Sequence, residues 1–245
     1  MNVELHTVAE RPDLRERRRE IGDAWPEFMH HDPVSDERWG RLYTEFPECQ
    51  FFALDTDEDR VVGEGNCLPV PWDSAALPLD GWRRALIDGF DGQPEVAVSA
   101  IAVTIAPDRR GSGLSSPLLA RMREIAAGRG ASELVAPVRP SLKSSYPLTP
   151  IERYAQWTRP DGLPFDPWLR THARGGASLV SVAPRSMEIP GTVAEWTDWA
   201  GMAFPESGSY VVPGALVPVE IDVERDRGLY VEPNVWMRHP LAAGG

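Results

Sequence analysis

The stretch Val103-Thr104-Ile105-Ala106-Pro107-Asp108-Arg109-Arg110-Gly111-Ser112-Gly113-Leu114-Ser115 decides the fold. Upstream of it, residues 96–105 are mostly small or β-branched and read as a strand ended by Ala106-Pro107. Downstream, Leu114, Leu118, Met122, Ile125 and Ala126 share one helical face, and Gly128 and Gly130 end the run. Pro117 falls in the first turn, where its missing N–H costs little. Strand, two-glycine loop and helix N-terminus together aim backbone amides outward, and the helix dipole adds partial positive charge. Glycine lets an anion approach the backbone closely, so the turn suits a pyrophosphate. A Walker loop would need a lysine here, and the only lysine of the chain, Lys143, lies thirty residues beyond Gly113. A dinucleotide fingerprint would need three glycines opening the helix, and that does not fit either.

Working outward, residues 2–9 alternate weakly and are expected to form a first strand. An amphipathic helix is expected over 14–28, with Leu14, Ile21, Ala24, Trp25 and Phe28 amid dense charge. A second is expected over 35–46 with Ser35 as its N-cap. A hairpin pairs 50–54 with 60–70 around the polar turn 55–59. Residues 71–94, rich in Pro, Gly and Trp, read as an insertion with a helical piece over 82–87, and 133–138 as a further strand. Beyond Pro140 the texture turns Pro-rich and aromatic. A short helix over 168–174 ends at Gly175-Gly176, a strand starts at 178–182, and 192–201 is helical. Segments 215–223 and 228–235 are expected to pair around 224–227.

The chain has 245 residues, the size of one ordinary domain, and 42% hydrophobic residues, which excludes wholesale disorder. With 25 basic against 37 acidic side chains the formal charge is −12, which argues against phosphate polymers and anionic membranes as partners and favours a cationic or amine-bearing small molecule. Cys49 and Cys67 lie in no metal-ligand spacing and are expected as buried reduced thiols; Cys67 has no histidine nearby in sequence to make it a nucleophile. The amino terminus shows no signal pattern, and no apolar run approaches the ~20 residues of a membrane span. A soluble, cytoplasmic protein is the expectation.

Arg110, Gly113 and Ser115 take the three defining places of a signature Arg/Gln-x-x-Gly-x-Gly/Ala, with Pro107 ahead of them. In this the segment resembles the GNAT acyltransferase superfamily; the serine at the last place departs from the pattern but is still small. The resemblance is specific over 95–140. It implies an α/β fold with a mixed, twisted central sheet flanked by helices and, here, an enlarged C-terminal half. The chain is read as one domain, 1–245: an acyl-CoA-binding core over 1–140 carrying the insertion 71–94, and an elaborated acceptor-side half over 141–245. Acetyl-CoA is then the expected co-substrate, lying in a V-shaped gap between the fourth and fifth strands. The backbone of Val103, Thr104 and Ile105 would bond the pantetheine, and amides of Arg110, Gly111, Ser112, Gly113, Leu114 and Ser115 the pyrophosphate, with Arg109 and Arg110 as local cations.

The family often carries a tyrosine on a late helix that protonates the leaving thiolate, four residues before a glycine. By that correspondence His172, in His172-Ala173-Arg174-Gly175-Gly176-Ala177, takes its place, and an imidazole with an ordinary pKa of ~6.5 suits the task. The plainer reading of His172 is a residue capping the helix end. Some members carry an acidic or histidine base on the fourth strand; the comparable positions here, Ser99 and Ile101, take no proton at neutral pH. Ser99 is kept with His172 as a catalytic candidate. Glu95 and Glu64 are the nearest carboxylates in sequence, and the plainer reading of each is an ordinary strand-end charge. Direct attack by a neutral amine needs no dedicated base.

Tyr146 and Trp168, with Tyr154 and Trp157, are candidates for walls of an acceptor pocket, since aromatic faces bind ammonium groups, and equally for core. His30-His31-Asp32 reads as loop, and no metal is expected. Lys143, just past the fifth strand, is expected near the mouth of the gap, and the segment from Tyr230 to Trp236 has the look of a functional turn. The expected reaction is acetyl transfer to an amine of a small molecule. A non-catalytic acyl-CoA sensor or scaffold, a different acyl or carrier-protein donor, and thioester decarboxylation stay open, as does a homodimer.

Overall fold

The apolar segments pair into strands largely where their patterns place them. In the computed structural model, which describes residues 2–92 and 94–241, β1 (Val3–Thr7), β2 (Gln50–Asp55) and β3 (Arg60–Val70) form an antiparallel meander. β4 (Ala97–Ile105) lies antiparallel to β3 and parallel to β5 (Glu133–Val138). The 14-residue β9 (Arg227–Pro240) then runs antiparallel to β5 through residues 235–240. Its first part pairs with β8 (Val219–Asp222), which carries β7 (Gly208–Tyr210) outside it, and β6 (Ser178–Gly191) pairs along its length. The sheet order is therefore β1-β2-β3-β4-β5-β9-β8-β7, with β6 on β9.

Side chains alternate across this sheet and bury on two faces. On one face Val98 and Ala100 of β4 pack with α3 (Ser115–Gly128), α4 (Ile151–Ala155) and α5 (Pro167–Arg174). Leu118, Leu119, Met122 and Ile125 of α3 are buried there, each contributing ~1.5–3 kcal/mol. On the other face Ala97 and Ile101 meet α1 (Pro33–Glu45) and α2 (Gly81–Asp88). A third cluster gathers Phe28, Ile189, Phe204 and Tyr230 around Trp196 of α6 (Val193–Ala200), whose N-terminus is closed by a Thr192–Glu195 capping box. No helix among the described residues is long and apolar enough to cross a membrane.

Four expectations are corrected. The helix expected over 14–28 is instead two 3-10 segments, Pro12–Ile21 and Glu27–His31, separated at Gly22, whose φ of 79° breaks the run. Tertiary contacts override local preference here: Arg17 and Glu20 pair with each other and Arg18 reaches Glu64 of β3, while Glu20 accepts the Val61 amide. Leu14, Ile21 and Phe28 still bury as their pattern requires. The cap of α1 is Asp32, not Ser35; its carboxylate accepts the amides of Val34 and Ser35. The strand begun at Ser178 continues to Gly191, because β9 offers it a partner over that whole length. The late hairpin shortens to β8 with residues 227–229; β6 holds the other edge of β9, and β5 pairs with it only over 235–240.

Candidate active site

β4 and β5 share only two rungs, Val98 with Leu134 and Ser99 with Val135, and then part. β3 continues to pair with β4 as far as Ile105, so from Ala100 onward β4 keeps a partner on one edge and none on the other. At the parting point the register shifts between Asn66 and Cys67, leaving Ile101 as an extra residue on β4. Trp82 Nε1 donates to the Ile101 carbonyl at 3.0 Å, which pins the bulge from the α2 side. The wedge opens into a cavity of about 1020 Å³ lined by Ala100 to Ile105 on one side and Ala136 to Arg139 on the other.

At one end of the cavity lies the glycine loop. Gly111 and Gly113 have φ of 80° and 86°, a region that side-chain-bearing residues avoid, and no atom lies within 4 Å of where a Cβ would stand on either. The α3 N-terminus has no side-chain cap. Amides of Gly111, Gly113, Leu114 and Ser115 donate to no acceptor among the described residues, so they stay available to an anion. Arg110 lines the cavity and donates to the Ala24 carbonyl at 3.2 Å, tying the 22–26 loop across the opening. An open strand edge leading to uncapped amides fits the pantetheine and pyrophosphate of a coenzyme A thioester.

The other wall comes from α1, α2 and β9. Asp36, Trp39 and Tyr43 project from α1, Trp82 from α2, and Trp25 and Met29 from the connecting segment. Trp39 and Trp82 stack with centroids 6.2 Å apart. β9 contributes Glu232 and Asn234 to the lining, and Arg139, one residue past β5, faces them. Arg139 Nε donates to both Glu232 carboxylate oxygens at 3.1 and 2.9 Å, and its Nη2 to the Gly214 carbonyl at 2.7 Å. Tyr230 Oη donates to the same carboxylate at 2.8 Å, and Asn234 Nδ2 donates to it at 3.2 Å. Asn234 Oδ1 in turn accepts from Ser186, which accepts the Trp82 amide. Glu232 is fully buried, yet four donated hydrogen bonds and one cation compensate its charge.

His172 also lines the cavity, from α5, with its ring edge-on to Trp168 at 4.5 Å. Burial and the neighbouring His239 push its pKa down to about 3, so the ring is neutral at physiological pH. Its Nδ1 lies 2.9 Å from His239 Nε2, while its Nε2 is buried without a protein partner. Burial and Arg123 likewise lower His239, to about 4.

The structure thus brings Val103, Thr104, Ile105, Arg110, Gly111, Ser115, Trp168 and His172 to one cavity. Leu114 is buried in the core beneath the loop, and its contribution there is its amide. Ser99 lies at the last β4–β5 rung, buried and outside the lining, with its Oγ unpartnered. Arg109 is engaged by Glu58, Asp55 and Asp108 and turns from the loop. Tyr146 is away from the lining and packs with Tyr154, Trp157 and Phe165. Lys143 is fully buried and donates to the carbonyls of Tyr146 and Leu216 at 2.8 and 2.6 Å; burial lowers its pKa. Cys49 and Cys67 are buried free thiols. His31 stacks on Trp199, Asp32 caps α1, and no cluster of metal-ligating side chains occurs among the described residues.

Sequence reasoning missed Arg139, Trp39 and Trp82. The signal available for Arg139 was its place: an arginine between the apolar strand ending at Val138 and Pro140. The Tyr230–Trp236 segment is strand, not turn, and its alternate residues Tyr230, Glu232 and Asn234 carry the polar network.

Comparison with known proteins identifies the class. A model of the Acetyltransferase (GNAT) family matches residues 14–149. The chain is 36% identical to "Arginine N-acetyltransferase avaD" of Aspergillus versicolor, across 97% of this chain and 93% of that protein. Among solved structures it resembles the loading GNATL domain of CurA from Lyngbya majuscula, with a TM-score of 0.63, 20% identity and 98% of each chain covered. It also resembles the GphF GNAT-like decarboxylase in complex with isobutyryl-CoA, with a TM-score of 0.59, 18% identity, and 99% of this chain and 100% of that one covered. The protein belongs to the GNAT acetyltransferase family. It is an acetyl-CoA-dependent acetyltransferase that acts on an amine.

Proposed function

We propose that this enzyme acetylates a free cationic amino acid, with arginine as the acceptor. The carrying observation is the single cavity in which the parted β4 edge faces a wall holding Asp36, three tryptophans (Trp25, Trp39 and Trp82) and the Arg139–Glu232 pair. A guanidinium finds aromatic faces and a carboxylate there. The net charge of −12 favours a cationic acceptor too. The relative named as an arginine N-acetyltransferase, aligned over 97% of the chain, supports the same acceptor.

Acetyl-CoA supplies an acetyl group activated as a thioester. The chain's contribution is chiefly position. Backbone groups of Val103 to Ile105 hold and polarise the thioester, and the amides of the glycine loop anchor the far end. Well-oriented reactants gain on the order of 7–11 kcal/mol from such placement. The acceptor enters from the α1–α2 side with its amine neutral, and its surplus proton leaves through water. His172 completes the site. When His239 Nε2–H donates to His172 Nδ1, the remaining His172 proton rides on Nε2, and this neutral N–H donates a hydrogen bond that stabilises the departing thiolate, which takes its proton from water.

The test combines acetyl-CoA with L-arginine and measures thiol release together with product mass. Thiol released only when arginine is present, with an acetylated arginine formed, is the expected result. Binding of acetyl-CoA with no thiol release against arginine or a panel of amines overturns the reading and leaves a non-catalytic binder.

A further inference from the structure

Arg139 has more donors than the protein uses. Its Nε is committed to Glu232 and its Nη2 to Gly214, but Nη1 meets no acceptor among the described residues. Nη1 keeps solvent-accessible surface, and the side chain lines the cavity wall. Its orientation is fixed from behind. Glu232, itself held by Tyr230 and Asn234, clamps one edge of the guanidinium, and Trp25 lies across it at 6.0 Å. A guanidinium anchored through Nε and Nη2 with Nη1 open presents a rigidly held, charged N–H donor to an oxyanion.

We infer that Arg139, positioned by Glu232, recognises the carboxylate of the acceptor and makes the enzyme selective for amines that carry one. This deepens the proposed arginine reading and rests on it. An acceptor lacking that group would leave the open Nη1 unpaired on the cavity wall, which a site built to bond a substrate group penalises heavily. Arg139 is then a specificity-determining residue and Glu232 the residue that positions it.

The experiment compares L-arginine with agmatine, the same molecule without its carboxylate, under saturating acetyl-CoA. The wild-type enzyme is expected to favour arginine in kcat/KM by on the order of 100-fold. A lone change at Arg139 would strand the buried Glu232 charge and threaten folding, so the variant is the double R139Q/E232Q, which leaves an amide pair and no unpaired charge. Arg139→Lys, which keeps the charge and loses the anchored guanidinium, is the second variant. Each is expected to shrink the arginine-to-agmatine ratio at least tenfold, through KM for arginine, with KM for acetyl-CoA held within twofold. Equal use of arginine and agmatine by the wild type overturns the inference while sparing the proposed acceptor. So does an undiminished ratio in both variants, or a rise in KM for acetyl-CoA in place of KM for arginine. Turnover of neither compound by the wild type overturns the proposed acceptor and this inference with it.

Discussion

His172 Nδ1 and His239 Nε2 face each other at 2.9 Å in a buried pair, one from α5 and one from β9. Neither ring is protonated at neutral pH: burial first, then the partner or Arg123, brings the pKa values to about 3 and about 4. In an unfolded chain both rings titrate near the ordinary ~6.5. As pH falls below that value the unfolded state takes up protons that the folded state refuses, so stability declines. Each histidine costs ~2 kcal/mol by pH 5. Denaturant unfolding from pH 7.5 to 5 is expected to show that decline, and a His172→Gln/His239→Gln double variant to flatten it. A wild-type profile as flat as the variant's would mean that the rings are not held neutral.

Replacing His172 by alanine should slow turnover by on the order of 100-fold and leave KM for acetyl-CoA unchanged. The ring meets the cavity from α5, away from the loop amides at the α3 N-terminus. Steady-state kinetics with acetyl-CoA varied at fixed acceptor checks both halves. Normal turnover would remove His172 from the chemistry.

Gly113→Ala places a Cβ into open space but forces alanine to φ of 86°. The backbone relaxes away at a cost of ~1–2 kcal/mol, and the loop amides lose their common aim. KM for acetyl-CoA should rise about tenfold, since 1.4 kcal/mol is a factor of ten. Calorimetric titration with coenzyme A reads the same loss without turnover.

Gly228→Ala tests the third cluster. A Cβ there would come within 2.1 Å of Trp196 Cδ1, and Trp196 is fully buried. Overpacking of this kind costs ~1–3 kcal/mol, so the unfolding midpoint should drop while KM for acetyl-CoA holds. An unchanged midpoint would show that Trp196 has room to shift.

The fold was legible where a pattern is local. Strands β4 and β5 and helix α3 follow from alternation, helical spacing and the glycine loop, and the parting of β4 from β5 follows from the family resemblance. The 10-residue 3-10 segment was not legible, because ion pairs to β3 and Asp59, distant in sequence, set its shape. At the site, His172 was found by its offset from Gly175-Gly176, yet nothing nearby announced His239, 67 residues on. Arg139 and Glu232 lie 93 residues apart and acquire meaning only as a pair. Lys143, conspicuous as the only lysine, turned out to be a peg between carbonyls.

β9 imposes one further consequence. This strand lends Glu232 and Asn234 to the cavity wall, His239 to the histidine pair, and backbone to β5, β6 and β8 at once. Its side chains alternate faces, so losing or gaining one residue after Gly228 would exchange Glu232 for a neighbour pointing the other way and unseat His239 in the same stroke. Substitutions along β9 can therefore reshape the cavity wall without moving the strand, whereas insertions and deletions fit only in the loops that frame it.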